Sequence, residues 1–253
     1  MKSEHQAPLH QHVMQPFLTR LLLRSSLNAE EQATVLDLPI RVERIPASVD
    51  FVRLGERLGH ACLVIDGLVG RFEQTRKGDR QTTALHIPGD MADLHSVVLP
   101  KTSWALQTLT SSTIGKIAHT ALVQAADRYP ALAQAFWRDC AVDASILAVS
   151  SVNLGRRDAR ARTAHLLCEM KCREEAVGRF TEDSYGFPIT QVQMADVLGL
   201  TAVHVNRMVR SLRAASLIRL SGSRASVIDW PGLVEAADFD PAYLHLERRF
   251  EAG

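Results

Sequence analysis

The spacing of apolar residues changes period along the chain, and each change predicts a different kind of element. From Gln15 to Arg24 (QPFLTRLLLR) the spacing is helical, after a polar, His-rich start expected to be weakly ordered over its first fifteen residues. A second helix is expected to begin at Asn28, a good N-cap, with Glu30 and Glu31 in the first turn facing the positive end of the helix dipole. Between Arg41 and His119 the texture becomes short β-branched runs punctuated by Gly55, Gly59, Gly67, Gly78 and Gly89. Many short strands at close spacing predict a small barrel or β-roll rather than alternating strands and helices.

From Ala131 to Leu154 the helical period returns. Leu132, Ala135, Asp139, Val142, Ile146, Val149 and Asn153 follow the alternating four-three spacing of a two-helix seam, with Phe136, Cys140, Leu147 and Leu154 on an adjacent stripe. Such a helix suits pairing with a second copy through one face while covering its own β-roll with the other. The competing reading is one broad core-facing stripe in a monomer. Asn153 is a polar residue of the kind that fixes register; Asp139 is a cost that the pattern leaves unexplained. Gly155-Arg156-Arg157 is expected to interrupt this helix as a hinge before a new one over Asp158–Ala176.

The most informative stretch is ITQVQMADVLGLTAVHVNRMVRSLRAASLI, Ile189 to Ile218. Thr190 and Gln193 have capping-box spacing, so a helix should begin there. Met194, Ala195 and Leu198 give it an apolar face, Gly199 supplies a turn, and Thr201 caps a second helix buried through Val205, Met208, Val209 and Leu212. Two short helices about a tight glycine turn form a helix-turn-helix. The second helix leaves Ala202, Val203, His204, Asn206, Arg207 and Arg210 outward. Arginine pairs in bidentate fashion with guanine and asparagine with adenine, and valine suits a thymine methyl. Val203, His204, Asn206 and Arg207 are therefore the candidate base readers. Thr190, Thr201 and Arg210 are candidate phosphate contacts, together with Arg219 and Arg224 beside the Ser221-Gly222-Ser223 tip of a following hairpin, a wing.

Charge sharpens this picture. Residues 1–153 carry 15 Lys/Arg against 15 Asp/Glu, residues 154–225 carry 12 against 7, and residues 226–253 carry 2 against 6. The basic excess sits in the block that holds the helix-turn-helix, as a polyanion-binding module requires. No apolar run reaches membrane-spanning length and the N-terminus lacks a signal-peptide core, so a cytoplasmic protein is expected. Cys62, Cys140, Cys168 and Cys172 are too scattered for a disulfide framework. Cys168 and Cys172 share a helix face, where helix packing or a thiol redox switch are the alternatives. The histidines of the N-terminal segment (His5, His10, His12) and of the β-roll (His60, His86, His95, His119) are read as tail, surface or packing residues, so no metal or other cofactor is expected. No nucleophile elbow, P-loop or HExxH occurs, so an enzyme is not expected.

With the β-rich text, the long helix, NLGRRDARARTAHLLCEM, the helix-turn-helix and the wing in hand, the chain resembles the Crp/Fnr family of bacterial transcription regulators over about residues 25–230. The resemblance implies an α+β fold: an N-terminal double-stranded β-helix (a β-roll like cyclic-nucleotide-binding domains), a long dimerisation helix and a C-terminal winged helix-turn-helix. The expected domains are 1–130, 131–154 and 155–232, with a tail at 233–253. It implies a homodimer on a palindromic duplex operator, with RNA polymerase as a further partner. The dimer-helix residues would be Leu132, Ala135, Val142, Ile146, Val149 and Asn153. GDMADLHSVVLPKTSWAL corresponds to the effector region, making Asp93, Leu94, Thr102 and Ser103 the pocket positions, but the family's phosphate-binding arginine is missing. No cysteine precedes Cys62 to hold an iron–sulfur cluster. Control by cyclic AMP or by such a cluster is therefore not expected. Val203 stands where relatives commonly carry glutamate, which implies an altered target sequence. The alternative function is a small-ligand or redox sensor whose winged helix mediates protein contacts.

Overall fold

The computed structural model describes residues 7–181 and 183–246, with side chains from residue 13 onward. His5 and the side chains of His10 and His12 lie outside the described residues. The chain divides into two units, one of residues up to 73 with 85–143, the other of residues 74–84 with 144–246.

In the first unit, α1 (Ala7–Leu22) starts inside the polar segment expected to be weakly ordered. Its apolar residues Met14, Phe17, Leu18 and Leu21 are buried, which anchors the helix. α2 (Ala29–Leu36) opens with a complete capping box: Asn28 accepts from Glu30 and Glu31 backbone N–H groups, and Glu31 accepts from Asn28 N–H. Seven strands follow, β5 lying mostly in the 74–84 segment of the second unit: β1 (Ile40–Ile45), β2 (Asp50–Val52), β3 (His60–Asp66), β4 (Val69–Gln74), β5 (Arg80–His86), β6 (Ala105–Thr108) and β7 (Ser112–Ala118). They form a three-stranded sheet in the order β1-β7-β3 and a four-stranded sheet in the order β2-β6-β4-β5. Alternation along β3 assigns its faces. Cys62 and Val64 join Val69, Leu106 and Ile114 in a core built from both sheets, while Ala61 and Leu63 join the helical core. Gly115 in β7 is paired with Val42 on one side and Leu63 on the other. A β-carbon there would lie 2.2 Å from Ile40 Cδ1, so any larger residue requires the Ile40 side chain to move aside.

Two further helices follow, α3 (His119–Arg128) and α4 (Pro130–Arg156). Leu132, Ala135 and Phe136 of α4 pack with α1 and α3 residues in the helical core. Asp139, unexplained in the sequence pattern, is buried beside two arginines of α1. Arg20 Nε donates to Asp139 Oδ1 at 2.8 Å, Arg24 Nη1 lies 3.5 Å from the same oxygen, and Arg20 Nη1 also pairs with Asp90. Burial alone would lower the Arg20 pKa, but Asp139 and then Asp90 overrule it and raise it. Val142 and Ile146 are buried as well, and Val149 and Asn153 half-buried. The face expected to meet a second copy is therefore largely turned into the chain's own packing. One turn after Asp139, Asp143 takes a bidentate pair from Arg71 of β4 at 2.7 and 3.1 Å. Burial would raise the Asp143 pKa, but the Arg71 guanidinium holds it below the usual carboxylate range.

The second unit is built around α5 (Ala159–Ala176), a helix buried on most sides and N-capped by Asp158. Around it stand β8 (Ser184–Gly186), α6 (Gln191–Leu198), α7 (Ala202–Ala214), β9 (Ile218–Ser221), β10 (Arg224–Val227) and α8 (Trp230–Ala237). β8, β10 and β9 form a three-stranded sheet in the order β8-β10-β9. Tyr185 of β8 is fully buried and donates its hydroxyl to the Leu167 carbonyl at 2.9 Å. Residues 233–246 of the segment expected as a tail pack against the rest of this unit. Leu233, Ala237, Phe239 and Leu244 are buried; Tyr243 stacks on His165 while Phe239 meets the same ring edge-on. The expected interruption falls at the end of Gly155-Arg156-Arg157: α4 runs through Gly155 to Arg156 and breaks at Arg157 before the Asp158 cap. Arg162 Nη2 donates to the Leu154 and Arg157 carbonyls at 3.1 and 3.2 Å, closing the helix end. Asn153 bonds His165 Nδ1 at 3.1 Å and accepts from Arg157 at 2.8 Å. Burial first, and then Arg157, lower the His165 pKa to about 4, so its neutral imidazole accepts the Asn153 amide N–H.

No helix among the described residues is long and apolar enough to cross a membrane.

Candidate nucleic-acid interface

The site is assembled by local rules at each end of α6. At its start Thr190 Oγ1 accepts from Gln193 N–H at 3.2 Å while Gln193 Oε1 accepts from Thr190 N–H at 2.9 Å, the reciprocal box that the spacing predicted. At its end Gly199 takes the left-handed conformation (φ 61°), where a β-carbon would also press to 3.0 Å from Leu154 Cδ2. The last carbonyls of a helix lack intrahelical donors. Here Gln81 Nε2 donates to Asp196 and Val197 carbonyls at 2.7 and 3.0 Å, and Arg162 Nη1 to the Leu198 carbonyl at 2.5 Å. Thr201 then caps α7 by accepting from His204 N–H at 3.2 Å. Val205, Val209 and Leu212 anchor α7 inward.

What α7 leaves outward is a shallow concavity of about 580 Å³ lined by Gln191, Ala202, Val203, Asn206, Arg207 and Arg210. It brings together Val203, Asn206 and Arg207 of the predicted base readers with Arg210 of the predicted phosphate contacts. Val203 is 81% exposed, an unfavourable position for an isolated valine and a natural one for contact with an apolar base edge. His204 is half-buried and does not line the concavity. Arg207, Arg210 and Arg219 make no ion pair with another described residue. Arg224 differs: its guanidinium donates to Ser184 Oγ at 2.6 and 3.0 Å and to Thr181 Oγ1 at 3.1 Å, fastening the wing to β8.

Three contributors escaped sequence reasoning. Gln191 sits directly after the cap, and its side chain meets Asn206 across the helix-turn-helix, with Asn206 Nδ2 to Gln191 Oε1 at 3.1 Å. Adjacency to Thr190 was the available signal. Gln81 and Arg162 carry no local signal, because their roles arise only when distant carbonyls are brought to them.

The effector-region residues are placed differently. Asp93 is fully buried and accepts the Cys62 backbone N–H at 2.6 Å. Burial raises its carboxyl to about 6 against the opposing pull of that bond. Leu94 is buried; Thr102 is buried and donates to the Arg53 carbonyl at 2.7 Å, while Ser103 is exposed. Asp93 and Thr102 thus spend polar groups on backbone. His95 stacks on Trp104 with ring centroids 4.1 Å apart. No group of three His, Cys, Asp or Glu among the described residues has metal-holding geometry. The Cys168 thiol is raised by burial and by Cys172, and burial pushes the Cys172 thiol up to about 11, so both are held as protonated packing groups.

Comparison with known proteins agrees with this architecture. Residues 161–236 match the model of a Crp-like helix-turn-helix domain. The chain is 21% identical over 218 residues to the anaerobic regulatory protein of Haemophilus influenzae, covering 86% of this chain and 84% of that one. It is 20% identical over 220 residues to the fumarate and nitrate reduction regulatory protein of Vibrio cholerae, covering 87% and 88%. Its fold is similar to that of FixK2 from Bradyrhizobium japonicum, with a TM-score of 0.69 at 20% identity over 79% of this chain and 98% of that one. With an α+β fold, a β-rich N-terminal domain, a long helix and a Crp-like helix-turn-helix domain over residues 161–236, the chain is similar along most of its length to transcription regulators of the Crp/Fnr family.

Proposed function

We propose that the protein is a homodimer that reads a palindromic promoter site in the cytoplasm through two copies of α7, without control by cyclic AMP or an iron–sulfur cluster. The concavity on α7 carries this reading: solvent-facing Arg207 and Arg210 flank Asn206 and Val203 within the basic part of the chain. Val203 and Asn206 make an A·T-containing site the expected partner, with Arg207 on a guanine. Thr190, Thr201, Arg210 and Arg219 supply phosphate contacts, and RNA polymerase is the partner through which such a site affects transcription. The packed state of Asp93 and Thr102 supports independence from a cyclic nucleotide.

For the dimer, α4 offers a different seam from the one its sequence suggested. Gln134, Trp137, Ala141, Ala144, Ala148, Ser151 and Gly155 are exposed at the same alternating spacing, and Trp137 is 69% exposed. Small residues along such a seam let two helices approach closely. Selection of bound sequences from random duplex DNA, followed by mobility shift on the full palindrome and its half-site, tests the proposal. Two copies should bind the palindrome, and Ala144→Glu should give a monomer in sedimentation with palindrome binding lost. Failure to enrich any sequence, or a dimer unaffected by that charge, overturns it.

A further inference from the structure

We infer that Gln191 is a specificity-determining positioning residue, which makes Asn206 an adenine reader by fixing the orientation of its carboxamide. The inference rests on the DNA-reading role proposed above.

A carboxamide carries an acceptor oxygen on one edge and a two-proton donor on the other. Turning the group over exchanges the edges at little cost, because this terminal torsion is broad and two-fold. An unrestrained asparagine in the major groove therefore offers several patterns and discriminates weakly. Adenine demands one: an N–H for N7 and an oxygen for the N6 amino group. In this protein Asn206 Nδ2 spends one proton on Gln191 Oε1 at 3.1 Å. Its second proton and its Oδ1 remain for a base, the donor–acceptor pair that adenine matches.

Both ends of the bond are carried on helices whose backbones are fixed relative to one another. Gln191 is the first residue of α6, next to the Thr190 cap, and Asn206 lies on α7. The turn between them is set by Gly199 and by the grips of Gln81 and Arg162 on the α6 carbonyls. Gln191 and Asn206 line the same concavity as Val203 and Arg207, so the fixed amide belongs to the reading surface. An exposed side-chain hydrogen bond adds little to stability. Its effect should therefore appear in base preference and not in unfolding.

The test uses the full-length protein and four duplexes that differ only at the selected base pair to which Asn206→Ala becomes indifferent. Wild type should prefer adenine there by roughly five- to a hundredfold, the range of one bidentate pair. Gln191→Glu keeps the acceptor and should keep that ratio while binding every duplex more weakly. Gln191→Leu removes the acceptor, and Gln191→Lys draws Asn206 Oδ1 towards α6 instead. Both should reduce the preference to about twofold or less with an unchanged melting temperature. If the Leu and Lys variants keep the wild-type ratio, Gln191 does not set specificity although the DNA-reading role survives. If Asn206→Ala changes no preference, Asn206 is not the reader and the inference also falls. If wild type enriches no sequence, both fall together.

Discussion

In the first unit Arg20, Arg24 and Arg71 are buried, and each meets a carboxylate: Asp90 and Asp139 for the first, Asp139 for the second, Asp143 for the third. In the second unit Arg207, Arg210 and Arg219 stand in solvent, without an ion pair to any described residue. The side chain is the same and the use is opposite. A guanidinium withdrawn from water needs a partner of opposite charge, because its desolvation costs several kcal/mol that only close, well-aimed carboxylates offset. A guanidinium left in water needs none and stays available to an anion that arrives later. Arg20, Arg24 and Arg71 are thus committed to carboxylates within the fold, while Arg207, Arg210 and Arg219 keep their guanidinium groups open to solvent.

The largest effect should come from breaking a buried pair. Asp139→Ala leaves Arg20 and Arg24 buried without their shared partner and should cost about 3–5 kcal/mol in urea unfolding. A loss under about 1 kcal/mol would show that these charges are solvated after all and would erase the contrast.

Next comes an unpaired buried carboxyl. Asp93 rises from 3.8 to about 6 because it is buried, which outweighs the opposing pull of the Cys62 N–H and thiol and of the Arg71 charge. Between those values the folded protein keeps a proton that the unfolded chain has released. Stability therefore falls as pH rises through that window, by roughly 3 kcal/mol in all. His165 acts in the opposite sense, since its lowered pKa makes stability fall on acidification between 6.5 and about 4. The Asp93→Asn variant isolates the first contribution. Its stability relative to wild type should climb between pH 4 and 7.5, and a flat difference would remove Asp93 from the ledger of buried charges.

Exposed arginines should behave differently. Arg207→Ala should leave unfolding within about 0.5 kcal/mol of wild type and cost about 1–3 kcal/mol of binding at one base position. Equal binding to the selected site would end its role as a reader. Smallest should be Arg219→Ala, which should weaken all duplexes alike and lower the slope of log affinity against log salt by about 1. A change confined to one sequence would move Arg219 from phosphate to base contact.

Legibility followed the range of the interactions. The Asn28 cap, the Thr190 capping box, the Gly199 turn and the buried stripe of α7 each depend on residues within a turn or two, so their spacing declared them. The β-rich region was legible as a texture of strands and turns, but its two sheet orders were not, since pairing β1 with β7 joins residues far apart in sequence. On α4 the four-three spacing was real in two registers at once. The more apolar face, with Leu132, Val142 and Ile146, turned inward, and Arg20 and Arg24 of α1 supplied Asp139 with partners there, a match invisible from either helix alone.

By itself the sequence determined the helix-turn-helix, the outward residues Val203, Asn206 and Arg207, and the concentration of positive charge around them, because period, caps and composition are local properties. Tertiary structure decided that Gln81 and Arg162 grip the end of α6, that Gln191 meets Asn206, and that Arg224 fastens the wing to β8. It also buried Asp93 and packed Leu233, Ala237, Phe239 and Leu244. Each of these depends on a donor and an acceptor, or two apolar surfaces, that only folding brings within reach, and no periodicity along one segment encodes the partner it will meet.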